Sequence, residues 1–147
     1  ILGLFQESYN PIGLHVDAGF NLDEIIFKQT LIPLTSKGST VIFKNKFYGS
    51  STNFTIDENE LNIKNLKYGQ NLRSSEHLNI YQKKPFNKED HTKYLKHEKI
   101  ENLSGLEIDY VYEWEIGSIL IFDRTRLHCS SSLIDGKKIG LTTFTKK

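Results

Sequence analysis

The hydrophobic pattern of the chain changes twice along its length. In residues 1–45, β-branched and aromatic residues crowd into short runs divided by turn residues. The runs are Leu2 to Glu7, Ile12 to Asp17, Glu24 to Leu34 and Ser39 to Lys44. Tyr9-Asn10-Pro11, Ala18-Gly19 and Ser36-Lys37-Gly38 separate them. Such runs predict strands, because branched side chains fit a pleated surface and Gly, Pro and Asn break it. Residues 46–105 are instead rich in Asn, Lys, Ser and Glu, with scattered aromatics and no sustained period. Within them Asn87 to Glu101 predicts a helix: Asn87 is a suitable N-cap, acidic residues fill the first turn, and Tyr94 and Leu95 give a small apolar face. Strands return in 106–147. Leu106, Ile108, Tyr110 and Tyr112 alternate up to Trp114, then come Ile119 to Phe122, His128 to Ser132 and Ile139 to Thr145.

Two blocks of strands around a polar stretch predict a mainly β single domain over 1–147. The expected architecture is a jelly-roll or cupin-like barrel, that is, a double-stranded β-helix. Residues 46–105 are then a partly helical insertion placed as a lid over the barrel mouth, since a connection of that length is usually functional or disordered.

Candidate chemistry sits at the two ends of the chain. His15 and Asp17 occur in Gly13-Leu14-His15-Val16-Asp17, and His128 in Arg126-Leu127-His128-Cys129-Ser130. Alternate residues of a strand share a face, so His15 and Asp17 can meet one ion while Val16 points away. A second His from a neighbouring strand completes two imidazoles and one carboxylate, the ligand set of a non-haem Fe(II) site with open positions. HxD alone is a permissive motif. The element that sharpens it is Ile116-Gly117-Ser118-Ile119-Leu120-Ile121-Phe122 leading to His128, followed by Lys137 and Lys138 at the start of the last strand.

With that order and spacing, the chain from residue 12 to 144 resembles the Fe(II)- and 2-oxoglutarate-dependent dioxygenases, on their prolyl-hydroxylase and phytanoyl-CoA-hydroxylase side. The resemblance implies the double-stranded β-helix, Fe(II) held by His15, Asp17 and His128, 2-oxoglutarate as cosubstrate and O2 as oxidant. It implies hydroxylation of an organic substrate, either a small molecule or a protein side chain, with release of succinate and CO2. The retained carboxylate of Asp17 argues against the related halogenases, which place a small residue there. The distal carboxylate of 2-oxoglutarate needs a cation. Alternation puts Lys138 on one face with Gly140, Thr142 and Phe144, and Lys137 on the other with Ile139 and Leu141. Lys138 is therefore the expected anchor, with Thr142 as a neighbouring donor. Lys cannot offer the bidentate fork of the Arg often found there.

Other residues carry weaker expectations. Tyr9 lies on the approach to His15 and reads as a turn residue. Either Gln29 or Thr30 should face the cavity. Arg124 and Arg126 read as structural, Ser130 and Ser132 as supports in phase with His128, and Cys129 as packing. His77, His91 and His97 read as surface residues. Two other functions compete: a cupin-like metal protein that does not use 2-oxoglutarate, although cupins typically carry HxH, and a non-catalytic barrel module.

Composition adds exclusions. Lys plus Arg number 19 and Asp plus Glu 18, a formal net charge of +1. That balance gives no electrostatic case for nucleic acid or an anionic membrane as partner. No apolar run is long enough for a membrane helix. The single Cys129 excludes an intrachain disulfide and fits a reducing, intracellular setting. The chain begins at Ile1 and has no Met, so the natural start is expected to lie before it.

Overall fold

The computed structural model describes residues 2–17, 26–46, 53–55, 70–72, 84–132 and 136–146. The chain is mainly β. Its strands are β1 (Leu2–Ser8), β2 (Ile26–Pro33), β3 (Ser39–Lys46), β4 (Asn53–Thr55), β5 (Gln70–Leu72), β6 (Ile108–Glu113), β7 (Leu120–Asp123), β8 (Arg126–Ser130) and β9 (Lys138–Lys146). A short helix α1 (Lys88–Tyr94) and a 3-10 turn at Ile100–Leu103 lie between β5 and β6. A four-stranded antiparallel sheet has the order β1-β9-β2-β7, and a three-stranded one the order β6-β3-β8. β4 and β5 form a separate parallel pair. No helix among the described residues is long and apolar enough to cross a membrane.

The expected strand at Ile12 to Asp17 is reduced to one bridge. His15 N–H donates to the His128 carbonyl, and His128 N–H donates back, both at 2.9 Å. Ser130 N–H also donates to the Ile12 carbonyl at 2.9 Å. On the outer side no strand follows, because the Leu14 N–H goes to the Glu98 carboxylate at 2.6 Å. Gly13 permits this approach: a Cβ there would lie 3.0 Å from the same carboxylate oxygen. The alternation of a strand survives. Leu14 and Val16 are buried in the core, while His15 and Asp17 line a cavity on the opposite side.

The three-stranded sheet is covered on both faces. Thr40 on β3 and His128 and Ser130 on β8 face the four-stranded sheet across the cavity. Val41, Phe43, Leu127 and Cys129 enter the main core on the other face. That core is completed by Leu14 and Val16 and by Phe86, Leu95, Leu103 and Leu106, each at most 5% exposed. Within the expected lid, the stretch 84–105 is therefore a backing layer of the sheet and not a cover over the cavity. Burial of its few apolar residues stabilises it by roughly 1.5–3 kcal/mol per side chain. Most of 46–86 lies outside the described residues.

The predicted helix also changes. Asn87 caps it as expected, its Oδ1 accepting from Glu89 N at 2.8 Å and Asp90 N at 3.0 Å. The helix stops at Tyr94 because the fully buried Leu95 turns into the core. The next residues are drawn off to Ser132, whose Oγ accepts from Lys96 N at 2.7 Å. The alternation expected in β6 breaks as well. Its pairing to β3 shifts register between Ile42 and Phe43, where Tyr110 and Ile108 are successive partners. Such a shift flips the side-chain phase. Ile108 and Val111 both reach the main core, while Tyr110 is 51% exposed. Between the two larger sheets, Leu31, Tyr112 and Trp114 form a second small core. Gly140 is required there, since a Cβ would lie 2.7 Å from the Trp114 ring.

If 84–105 is a backing layer, Leu95→Ala should destabilise the protein by about 2–5 kcal/mol, the usual cost of a large-to-small change in a core. Chemical denaturation measures it. A loss below about 0.5 kcal/mol, typical of an exposed site, would return the segment to the status of a loose lid.

Candidate metal centre

The cavity between the sheets has a volume of about 90 Å³. His15 and Asp17 reach it from the 12–17 stretch and His128 from β8. One possible ligand atom from each of the three lies within 4.8 Å of the other two. His15 Nε2 is 3.7 Å from one Asp17 oxygen, and His128 Nε2 is 3.3 Å from the other. Donors about 2.0–2.2 Å from one ion lie roughly 3 Å apart when adjacent, so this cluster is slightly open for that purpose.

Backbone geometry orients both imidazoles. His15 Nδ1 lies 2.6 Å from the Gly13 carbonyl and His128 Nδ1 3.0 Å from the Arg126 carbonyl. A carbonyl only accepts, so each Nδ1 must carry a proton, and Nε2 is the nitrogen turned towards Asp17 and a ligand. This is the usual way a second hydrogen bond fixes a metal-binding tautomer. The rings lie 4.2 Å apart, and Phe122 meets the His128 ring edge-on at 4.9 Å. The donor set therefore fits a divalent cation that accepts nitrogen and oxygen, as Fe(II) does.

Protonation agrees with that fit. Burial, with His128 alongside, lowers the pKa of His15 from 6.5 to about 4, against a partial opposing effect of Asp17. Burial alone would raise the Asp17 pKa. The hydrogen bond and charge of His128, then His15 and the Gln29 amide, outweigh it and bring the value to about 2. At neutral pH His15 is neutral and Asp17 ionised, the states that ligate a metal.

The same cavity holds Lys138, 3% exposed at the start of β9. Its Nζ donates to the Ser39 carbonyl at 3.1 Å and Ser130 Oγ at 3.3 Å, and lies 4.0 Å from the centre of the Trp114 ring. All three partners are neutral, and among the described residues no carboxylate pairs with it. Burial lowers its pKa to about 8, which still leaves it mostly cationic at neutral pH. Thr142, 9% exposed, lines the cavity from the same strand. Lys137 points outward, 3.0 Å from Glu7. Trp114 in turn donates its indole N–H to Thr40 Oγ1 at 2.9 Å.

Of the pair on β2, Gln29 faces the cavity, and Thr30 shares a hydrogen bond with Thr143. Gln29 is fully buried, yet neither amide atom has a partner at hydrogen-bond distance. Its amide lies near enough to favour the Asp17 carboxylate without closing a bond. Burying an amide unsatisfied costs roughly 1–3 kcal/mol.

Several residues fall away from the site. Tyr9 is exposed and donates to Glu7. Arg126 is structural, bonding Asp109 at 3.1 Å and the Phe43 carbonyl at 3.0 Å. Ser132 is not a support for the ligands: beyond the end of β8 it turns to the Tyr94 carbonyl, donating at 2.8 Å. His91 and His97 are half-buried and not surface residues. His91 Nε2 lies 2.9 Å from the Glu98 carbonyl, and His97 Nδ1 3.3 Å from Ser132 Oγ. Cys129 is a free, fully buried thiol, and burial pushes its pKa well up. His77 lies outside the described residues. Glu98, which holds the Leu14 N–H beside His15, carries no motif that would mark it in the sequence.

Compared with models of known protein families, with curated proteins and with solved structures, the chain matches none.

The shifted groups set the pH dependence of the metal-free protein. The folded pKa of His15 lies below its ordinary value, so between about 6.5 and 4 the unfolded chain binds more protons there and stability falls as pH falls. Asp17 contributes stability that is present above about 3.8 and lost as pH drops towards 2. His97, its pKa also lowered by burial, acts with the same sign as His15. Melting temperature should therefore decline from pH 7 to pH 4, and His15→Gln should flatten that decline. An unchanged slope in the variant would remove His15 as its source.

Proposed function

We propose that the protein is an Fe(II)- and 2-oxoglutarate-dependent oxygenase of the hydroxylating kind, built on a double-stranded β-helix. The observation that carries this reading is the placement of a buried lysine, with no carboxylate partner among the described residues, in the same cavity as a His-Asp-His cluster. A divalent cation and a dianion bound together would answer both features.

Strand pairing supports the fold. Counting the 12–17 stretch as a rudimentary second strand, the first pairs with the last (β1 with β9) and the second with the next to last (12–17 with β8). The third and sixth are β2 and β7, and the fourth and fifth are β3 and β6. That is a long hairpin. The pairs β9–β2 and β3–β8 join its turns side by side, as when a hairpin is wound into a jelly roll. β4 and β5 lie in the connection at its tip.

In this reading His15, Asp17 and His128 are the residues that would hold the iron. Iron, when bound, supplies O2 activation coupled to oxidative decarboxylation of 2-oxoglutarate to succinate and CO2. The chain supplies everything else. Lys138 meets the distal carboxylate with a charge-assisted hydrogen bond. Ser130 and the Ser39 carbonyl hold the ammonium in place, and the face of Trp114 steadies the cation. Thr142 offers a hydroxyl on the same wall. Phe122 and Phe144 make the wall beside Gln29 apolar. A cupin-like protein that ignores 2-oxoglutarate gives no use for Lys138 in its cavity.

Two measurements test the proposal. Wild type should bind one Fe(II), or Mn(II) as a redox-inert mimic, and His15→Ala, Asp17→Ala and His128→Ala should each lose most of that binding. Full metal content in all three would place the metal elsewhere. Separately, Lys138→Ala should weaken 2-oxoglutarate binding by about 2–5 kcal/mol, the cost of removing one partner of a buried charge pair, and Lys137→Ala should leave it unchanged. Equal affinity in wild type and Lys138→Ala would exclude the lysine as anchor.

A further inference from the structure

Gln29 is the one side chain lining the cavity, among the described residues, that is fully buried while both its polar atoms lack a partner. Its neighbours on the sheet are Phe144 of β9 and Phe122 of β7, in register on either side. Neither aromatic ring can satisfy an amide oxygen. Asp17 lines the same cavity, and an amide that meets a carboxylate presents its N–H2, because its carbonyl would repel the anion. With Nε2 turned to Asp17, the group left over is Oε1, which only accepts.

We infer that Gln29 is a recognition point for the organic substrate, its Oε1 accepting a hydrogen bond from an uncharged N–H or O–H group bound beside Asp17. A carboxylate or phosphate is disfavoured at this spot, since it would meet an acceptor oxygen and an anion together. The substrate class is thus a neutral amide or alcohol, with apolar parts against Phe122 and Phe144. This inference rests on the proposed function for calling the ligand a substrate, but the hydrogen bond itself does not require metal.

Three probes of equal chain length test it: butyramide, 1-butanol and butyrate. Each is titrated into 15N-labelled protein, and the Gln29 side-chain amide signal, assigned by its absence from Gln29→Leu, reports local contact. The titration is run twice, on metal-free protein and on protein saturated with Zn(II) and 2-oxoglutarate, so that Lys138 is occupied in the second. Butyramide and butanol should move the signal in saturable fashion, and butyrate should not. Gln29→Leu should weaken butyramide binding about tenfold, the worth of one hydrogen bond, while Zn(II) affinity stays within about twofold. Where Gln29→Leu does not fold, Gln29→Asn withdraws the amide by one methylene and should give the same direction of change. Butyrate binding as well as butyramide at the Gln29 signal overturns the inference. So does an undiminished butyramide affinity in the variant, or a variant that loses Zn(II) and keeps butyramide. Failure of wild type to bind Zn(II) or 2-oxoglutarate strikes the proposed function, and the metal-free titration still decides the role of Gln29.

Discussion

Two backbone hydrogen bonds between His15 and His128 hold the site together. They are reciprocal, each at 2.9 Å, and join residues more than a hundred positions apart in the chain. The grouping of the three candidate ligands follows from that bridge. It sets the two imidazoles side by side, and strand alternation then brings Asp17 to both of them. It also ties the 12–17 stretch to β8 at the edge of the three-stranded sheet. A single bridge is a small contact for such a task. Its support comes from behind, where Leu14 and Val16 are sealed into the core and Glu98 takes the outward N–H of Leu14.

The cavity contrasts with that core. Behind the three-stranded sheet the side chains are apolar and packed. Between the sheets, beside two imidazoles, are a buried lysine with no carboxylate partner among the described residues and a buried amide with no partner at all. Each costs stability in the free protein, because a buried polar or charged group has given up water without full compensation. Trp114 and the Ser39 carbonyl reduce the cost at Lys138 but do not neutralise its charge. Incompletely satisfied groups gathered in one cavity are a feature of binding sites, where the missing partner is a ligand.

Local signals in the chain explain which parts of this were legible in the sequence. Strands in 1–45 and 106–147 are visible because apolar runs end at Gly, Pro and Asn. The phase of the last strand is visible too: alternation alone separates Lys138, buried at 3%, from the exposed Lys137. The role of 84–105 is not visible. Phe86, Leu95, Leu103 and Leu106 enter one core, but they are spaced irregularly and come from the two flanks of a helix, a 3-10 turn and a loop. No single period describes them, so the segment reads as polar and loose. The bulge near Asp109 escapes for a similar reason. Alternating Ile108, Tyr110 and Tyr112 look like one face, and only pairing to β3 reveals the slip.

Gln29 and Glu98 show the remaining limit. Neither lies in a motif, and each acquires its meaning from a partner far away in the chain. For Gln29, the choice against Thr30 depends on register, and a slip of one residue would turn it outward. Register here is fixed by β9, where Gln29 lies opposite Phe144 and Thr30 opposite Thr143. The hydroxyls of Thr30 and Thr143 bond each other on the outer face, so the inward position falls to the amide. A polar residue therefore enters the cavity because its neighbour is already satisfied outside it. The pattern of strand pairing, more than any motif, decides which polar groups the cavity contains and hence what it can bind.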